Sequence, residues 1–389
     1  MLYYSIESEE RPLKPEQITE AITLAIESSG GDKPILIIPP DISRFHSGAG
    51  IITSIIWNKY RERIRHILPA TGTHKPMTAN EINRMYKGVP HKLFKVHNCR
   101  QDVITLGKIP ASYIKEASEG KLTYDWPLQV NKLIPDHAGS LIISVGQVVP
   151  HEVTGMANYN KNIFIGCGGY EAINKSHYLS AVYGIERLMG KAINPVRELI
   201  NRGVNLFAKQ LNILYVLTVI GTGSDGMPAM KGLFIGSDNE CFSKASSLSA
   251  RLNIKVIEKP PEKIVTFLSP SEYRSTWLGN KAIYRTRMAI ARNGELIIIA
   301  PGVKEFGEDK TIDRLIRKYG YLTSDEMIPL VERNADLQEN LAAAAHLIHG
   351  SPENKFSVRY CTNKMNKYEI KNVGYDYSTI EEIKTEFDP

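Results

Sequence analysis

Short apolar runs separated by amphipathic stretches set the rhythm of the chain. Residues 33–39 (KPILIIP) read as a buried strand that stops at Pro39-Pro40, since proline has no amide hydrogen for the ladder. Ile51, Ile52, Ile55 and Ile56 recur at helical spacing and predict a helix over 50–65, with the basic run 61–66 on its solvated face. Residues 67–70 read as the next strand. They lead into TGTHKPMTANEI, where Thr78 and Glu81 have the capping-box spacing of a helix start. Further strands are expected at 93–97, 103–109 and, most clearly, 139–149, then helices over 170–188 and 196–211 and β-rich sequence over 212–220. GTGSDGMPAM then turns into a strand at 231–235. It reads as a hairpin, because it lacks the Gly-Lys-Ser/Thr ending of a phosphate loop and a strand follows it.

The same alternation continues to the carboxyl end. A helix is expected over 239–252, strands at 254–257, 264–268 and 295–300, a cation-rich helix over 272–291 and a long helix over 327–349. Strands alternating with helices predict an α/β protein with mostly parallel sheets. A length of 389 residues favours two cores. We place a catalytic and cofactor-binding α/β domain at 1–238 and a second α/β domain at 239–389, closing an interdomain cleft, with the last residues able to return to the first domain.

Composition narrows the setting. Hydrophobic residues make up 42% and charged residues 23%, as in an ordinary soluble globular protein. The longest apolar runs fall far short of the roughly 20 residues that span a bilayer, so no membrane partner is expected. The start, MLYYSIESEERPLK, has no basic head followed by an apolar segment, and no signal peptide is read there. Cys99, Cys167, Cys241 and Cys361 are scattered without a CxxC pair, which disfavours structural zinc or a disulfide framework and points to the cytoplasm. The net charge of +6 is dispersed, which suits a small anionic substrate better than nucleic acid.

Candidate chemistry gathers at strand exits. Asp41 and Arg44 follow the first buried strand in PPDISR, where an Asx turn explains Asp41 equally well. His74 lies in a strand-to-helix loop. His151 follows the strand 139–149, and Lys161 and His177 come next, either side of a turn at Gly166, Gly168 and Gly169. Two imidazoles suit acid/base work near neutral pH, and Arg44 can grip a carboxylate bidentately. Arg274 and Lys281 either face a cleft or face water. His346 and His349 in AAAAHLIHG read as packing and capping residues, since spacing of three without nearby carboxylates is a weak metal signal.

D-I-S-R at Asp41, G-T-H-K-P around His74, P-H-x-x-x-G at His151, Lys161 ten residues on and His177 in N-x-S-H together carry a resemblance. The sequence resembles lactate racemase and its relatives, the nickel-pincer-nucleotide-dependent 2-hydroxyacid racemases and epimerases. GLFIGSD at 232–238 is similar to that family's passage into its second domain. The resemblance implies a pyridinium-derived mononucleotide with two sulfur-bearing arms, one joined to Lys161 as a thioamide, supplied by cofactor-maturation enzymes. It also implies nickel held by the two sulfurs, a ring carbon and His177, a donor set suited to Ni(II). His74 and His151 would be the two bases that exchange the hydroxyl proton while hydride passes to and from the cofactor. Arg44 would anchor the substrate carboxylate, and Asp41 would hold Arg44 or the cofactor ribose.

The chain also departs from that pattern. Where the family has Ser-Gly-Gly before the lysine, this chain has Ala157-Asn158-Tyr159-Asn160, and a Pro-Gly after it becomes Ile165-Gly166. A Tyr-Gln-x-x-Lys element is matched loosely by Thr276-Trp277 and Lys281, the expected substrate contacts of the second domain. The leading expectation is inversion of the α-carbon of a 2-hydroxy acid, lactate-like or a larger sugar acid such as an aldonate. Two alternatives stand beside it. One is an NAD-dependent sugar-acid oxidoreductase, although no GxGxxG follows the first strand; the other is a non-catalytic anion-binding module. The substrate and the oligomeric state are not legible.

Overall fold

The structure, a computed structural model, describes residues 1–387. The chain divides into two compact units. The first holds Met1–Ser176 and Leu188–Lys255, and the second holds His177–Arg187 and Val256 onward.

The first unit contains β1 (Leu2–Glu7), β2 (Ile35–Ile38), β3 (Ile64–Ile67), β4 (Val103–Ile109), β5 (Trp126–Asn131), β6 (Leu141–Gln147), β7 (Pro150–His151), β8 (Gly155–Met156), β9 (Ile213–Thr222) and β10 (Pro228–Gly236). Six of them form one sheet in the order β1-β10-β9-β6-β2-β3. β3, β2, β6 and β9 run parallel, and β10 and β1 add an antiparallel edge. The inner strands β2, β6 and β9 are mainly apolar, as burial on both faces demands. Ile22 and Ile26 of helix Pro15–Gly30 and Ile52 and Ile56 of helix Ala49–Tyr60 share a core with Ile35, Ile37, Ile143 and Val145 of the sheet. From β2 the chain crosses to β3 on one side; from β6 it crosses to β9 on the other. The fork between β2 and β6 is therefore the switch point of the sheet, where open α/β folds present ligand-binding residues.

Several elements differ from expectation. The helix expected to 65 ends at Tyr60, and the basic run enters β3 rather than coating a helix. Ile64 and Ile67 point inward there while Arg65 points to water, an arrangement that suits an edge strand. Residues 93–97 contribute only a bridge from Phe94 to Ile67. β4 is where the pattern places it, but it pairs antiparallel with β5, which the pattern did not reveal. The GTGSDG segment is a hairpin, with Thr222 opposite Pro228.

In the second unit β11 (Lys263–Phe267), β12 (Glu295–Ile299), β13 (Ser357–Cys361) and β14 (Asp376–Ser378) form a parallel sheet in chain order. Helix Ile380–Glu386 sets Ile383 against Ile297 and Cys361, so residues 380–387 pack on this sheet, where a return to the first domain had been allowed for. The boundary falls after Lys255, not at 238, because helix Asn239–Asn253 packs on the first sheet: a Cβ on Gly232 of β10 would lie 2.4 Å from Leu248. Residues 254–257 form no strand, and Val256 is 91% exposed. The helix expected over 272–291 is two short helices, Thr276–Gly279 and Lys281–Thr286. That expected over 327–349 breaks where Asn334 (φ −122°, ψ 111°) and Asn340 (φ −130°, ψ 53°) leave helical backbone, a role asparagine takes by bonding locally. No helix among the described residues is long and apolar enough to cross a membrane.

Gly50 tests this packing. Helix propensity favours alanine over glycine by about 1 kcal/mol, yet a Cβ on Gly50 would sit 2.1 Å from the Met85 carbonyl oxygen. Gly50→Ala is expected to lower stability by about 1–3 kcal/mol, read as a lower urea midpoint. A raised midpoint would show that the helix can slide away from Met85.

Candidate active site

Residues from three strand exits meet at the fork of the first sheet. Pro39 and Pro40 end β2, and Asp41 caps the 3₁₀ turn Ile42–Ser47 by accepting from the Ser43 amide at 3.1 Å. The Asx turn engages only one carboxylate oxygen; the other, Oδ2, meets His74 Nδ1 at 2.6 Å. The side chain that Asp41 meets here is thus His74, a contact outside the two expected for it, Arg44 and the cofactor ribose. Burial alone would raise the Asp41 carboxyl, but the His74 contact and the Ser43 hydrogen bonds outweigh it and hold it below its ordinary value. A carboxylate only accepts, so His74 Nδ1 carries the hydrogen and a neutral His74 presents the lone pair of Nε2. The His74 side chain is 60% exposed. Its loop is pinned from behind by the Gly72 amide, which donates to the Gly166 carbonyl at 2.7 Å.

His151 is built the opposite way. It lies on the two-residue strand β7, opposite Gly155 of β8, and is buried. Gly155 has φ +72°, and a Cβ there would lie 2.0 Å from the Lys191 carbonyl oxygen, so only glycine closes this turn. The Val153 amide donates to His151 Nδ1 at 3.0 Å. With Nδ1 as acceptor, neutral His151 carries its hydrogen on Nε2. In their neutral forms one histidine offers a base and the other an acid.

Lys161 sits in the first turn of helix Asn160–Phe164. The residue keeps some exposure while its amine lies deep in the fold. Burial, and then the cations Arg44 and Arg197, push the ammonium down to about 8, against the carboxylates of Glu152 and Asp41. These couplings show that Arg44, which is half-buried, and the Glu152 beside His151 belong to the same constellation. Three asparagines around Lys161 fix its helix. Asn158 packs on Gly146, where a Cβ would come within 2.1 Å of its amide nitrogen. Asn160 donates to Asn201 Oδ1 at 2.8 Å and accepts from the Tyr215 hydroxyl. Asn162 donates to the Ile38 carbonyl and to Ser144 Oγ, both at 3.0 Å.

The turn after this helix is clamped as well. Buried His97 donates through Nε2 to the Gly168 carbonyl at 3.0 Å, and Asn131 donates to His97 Nδ1 at the same distance. His177 lies two turns into helix Tyr170–Tyr183, in the segment grouped with the second unit. Trp277 and Lys281 also belong to the second unit. Trp277 lies 4.3 Å from the His346 ring, and Lys281 opens the helix Lys281–Thr286. Arg274 precedes them, its carbonyl accepting from the Lys304 amide at 3.0 Å. His346 bonds the Tyr284 and Tyr321 hydroxyls at 2.9 and 3.2 Å, and burial pushes it down to about 3, so it is a neutral core residue.

The residues that sequence reasoning missed are Glu152, the three asparagines as a set, and Arg197. The N-x-N-x-N spacing around Lys161 was visible, as was Arg197 on the apolar stripe of helix Pro195–Phe207 with Ile200 and Val204.

Residues 10–187 match the family model described as the lactate racemase N-terminal domain. A protein of known crystal structure from Thermotoga maritima is 26% identical over 98% of this chain and 95% of its own, with a TM-score of 0.84. The lactate racemase apoprotein from Thermoanaerobacterium thermosaccharolyticum is 19% identical over 95% of this chain and 86% of its own, with a TM-score of 0.71, and shares the fold. Curated proteins give no match.

The Asp41 contact has a pH signature. A carboxyl held below its ordinary value stabilises the fold when ionised; that contribution is present above the ordinary carboxylate range and is lost as pH falls through the depressed value. Asp41→Asn is therefore expected to flatten the loss of stability below about pH 5. Thermal melts stepped through acid measure it, and equal slopes in both proteins would remove the Asp41–His74 contact from the solution structure.

Proposed function

We propose, for a chain whose residues 10–187 match the lactate racemase N-terminal domain model, that it inverts the α-carbon of a 2-hydroxy acid as an isomerase of the racemase and epimerase type. The observation that carries this reading is the pair of histidines with opposite hydrogen placement, set around one deeply placed lysine at the switch point of the sheet.

The cofactor implied by the family fits the residues present. An amide-type tether forms through the uncharged amine, and Lys161, pushed down to about 8, reaches that form near neutral pH far more readily than an ordinary lysine. The backbone before it passes through left-handed φ at Asn158 and Tyr159, conformations that glycine supplies elsewhere, so the path survives without the glycines. Among the described residues no three His, Cys, Asp or Glu side chains converge as a metal site. Nickel here would take one imidazole, that of His177, and its remaining donors from the nucleotide. When bound, the nickel-pincer nucleotide supplies the hydride acceptor.

The chain's own residues do the rest. Arg44 pairs with the substrate carboxylate and fixes which face of the α-carbon is presented. His74 takes the hydroxyl proton on Nε2, while Asp41 holds its Nδ1 and stabilises the imidazolium that forms. His151 returns a proton from Nε2 on the other face, its ring aimed by the Val153 amide. In the reverse direction the two exchange roles. Two bases are required because enantiomers present their hydroxyls on opposite sides of the α-carbon.

Two measurements test the proposal. In cells that make the cofactor, the peptide carrying Lys161 is expected to gain several hundred daltons, and active, nickel-loaded protein with unmodified Lys161 would end this reading. With holo-protein and a panel of 2-hydroxy acids, His74→Ala and His151→Ala are each expected to slow inversion by about 10²–10⁴-fold. A single-histidine variant racemising at the parent rate would dismiss the two-base assignment.

A further inference from the structure

Asn158 and Tyr159 are consecutive non-glycine residues with φ of +65° and +59°, immediately before the helix that bears Lys161. Tyr159 has ψ −138°, far from where a tyrosine rests. Such backbone is strained, for tyrosine above all, and persists only where its surroundings enforce it. Here the enforcing group is Arg197. Its Nη1 donates to the Asn158 carbonyl at 2.9 Å and its Nη2 to the Met156 carbonyl. The Tyr159 ring is held between Tyr215, at 4.3 Å, and Phe242, at 5.1 Å and 17°. Phe242 in turn lies 4.5 Å from the guanidinium.

Arg197 is only 1% exposed, and among the described residues it forms no ion pair and its Nε has no hydrogen-bond partner. A buried cation without a carboxylate is expensive, and evolution usually removes it or pairs it. Burial lowers its proton affinity to about 9, which still leaves it charged near neutral pH. The ionisable groups facing it are the Tyr159 and Tyr215 hydroxyls; burial raises both, so neither neutralises it. Lys161 feels this charge and that of Arg44, against Glu152 and Asp41. Carbonyl-holding alone can be done by a neutral amide. A permanent charge at this place is explained by what it does to Lys161.

We propose that Arg197 is the positioning residue of Lys161, holding the segment before it through the Met156 and Asn158 carbonyls and setting a fixed positive charge beside its amine. The inference deepens the reading of Lys161 as a tether. It is tested on the full chain without cofactor, so that failure removes the role of Arg197 and leaves the tether to the mass measurement above.

The experiment is competitive labelling with trace acetic anhydride between about pH 6 and 10, following the Lys161 peptide by mass spectrometry with exposed lysines as internal reference. The parent Lys161 is expected to titrate near 8. In Arg197→Gln the midpoint is expected to rise by about one unit, cutting labelling below the midpoint by about tenfold relative to the reference lysines. A folded Arg197→Gln protein with the parent midpoint overturns the proposal. Arg197→Lys keeps the charge without the fork and decides the matter if the glutamine variant does not fold. A parent-like midpoint supports the charge role, and a raised one overturns it.

Discussion

The fork between β2 and β6 imposes the constraint from which the site follows. Two parallel strands separate there, each leaving polar groups that neither neighbour satisfies, and a buried group left unsatisfied costs about 1–3 kcal/mol. One amide closes the gap: Asn162 donates to the Ile38 carbonyl of β2 and to Ser144 of β6. That contact wedges the short Lys161 helix into the fork. Lys161 precedes the wedge by one residue, and its position is therefore set by the sheet rather than by the mobility of a loop. The exits of β2 and β6 deliver Asp41 and His151 to the same place because the topology leaves them no other.

Electrostatics around the lysine amine are built from opposed pairs. Arg44 and Arg197 disfavour its charge; Asp41 and Glu152 favour it, and burial tips the balance. Asp41 serves two neighbours at once, fixing the hydrogen of His74 and tempering the two cations. The histidines differ in what fixes them. His74 is set by a carboxylate and remains open to solvent, whereas His151 is set by a main-chain amide and is enclosed. A site with two imidazoles in unlike settings can hold one as donor and the other as acceptor at the same pH.

Much of this was legible in the sequence, and what was not has identifiable causes. Apolar runs with a single period, such as those that became β2, β6 and the capped helix at Thr78, announce themselves because burial on two faces or a reciprocal cap leaves little choice of residue. The basic run at 61–66 misled because an edge strand and a helix face both tolerate outward arginine, and only the pairing of β3 with β2 distinguishes them. Ile254, Val256 and Ile257 are β-branched and yet form no strand, since propensity without a neighbouring strand orders nothing. The grouping of Asp41, His74 and His151 was readable from strand exits and from resemblance. The contact between Asp41 and His74 was not, because it depends on side-chain reach across two loops. Arg197 was missed for a similar reason: an arginine on an apolar stripe looks like an imperfection until the carbonyls it serves are in view.

That the left-handed positions before Lys161 are held by Asn158 and Tyr159 and not by glycine bears on entropy as well as on shape. A glycine-rich segment is loose in the unfolded chain and often loose in the folded one, and it must be ordered again each time a ligand arrives. Asparagine and tyrosine have fewer conformations to lose, and here Arg197, Tyr215 and Phe242 hold them in a single one. Ordering is completed at folding, so the chain that enters the Lys161 helix is a stiff edge and not a flap. A stiff edge selects by shape: a partner that does not match its contour finds little give, and one that does match binds without a further conformational toll.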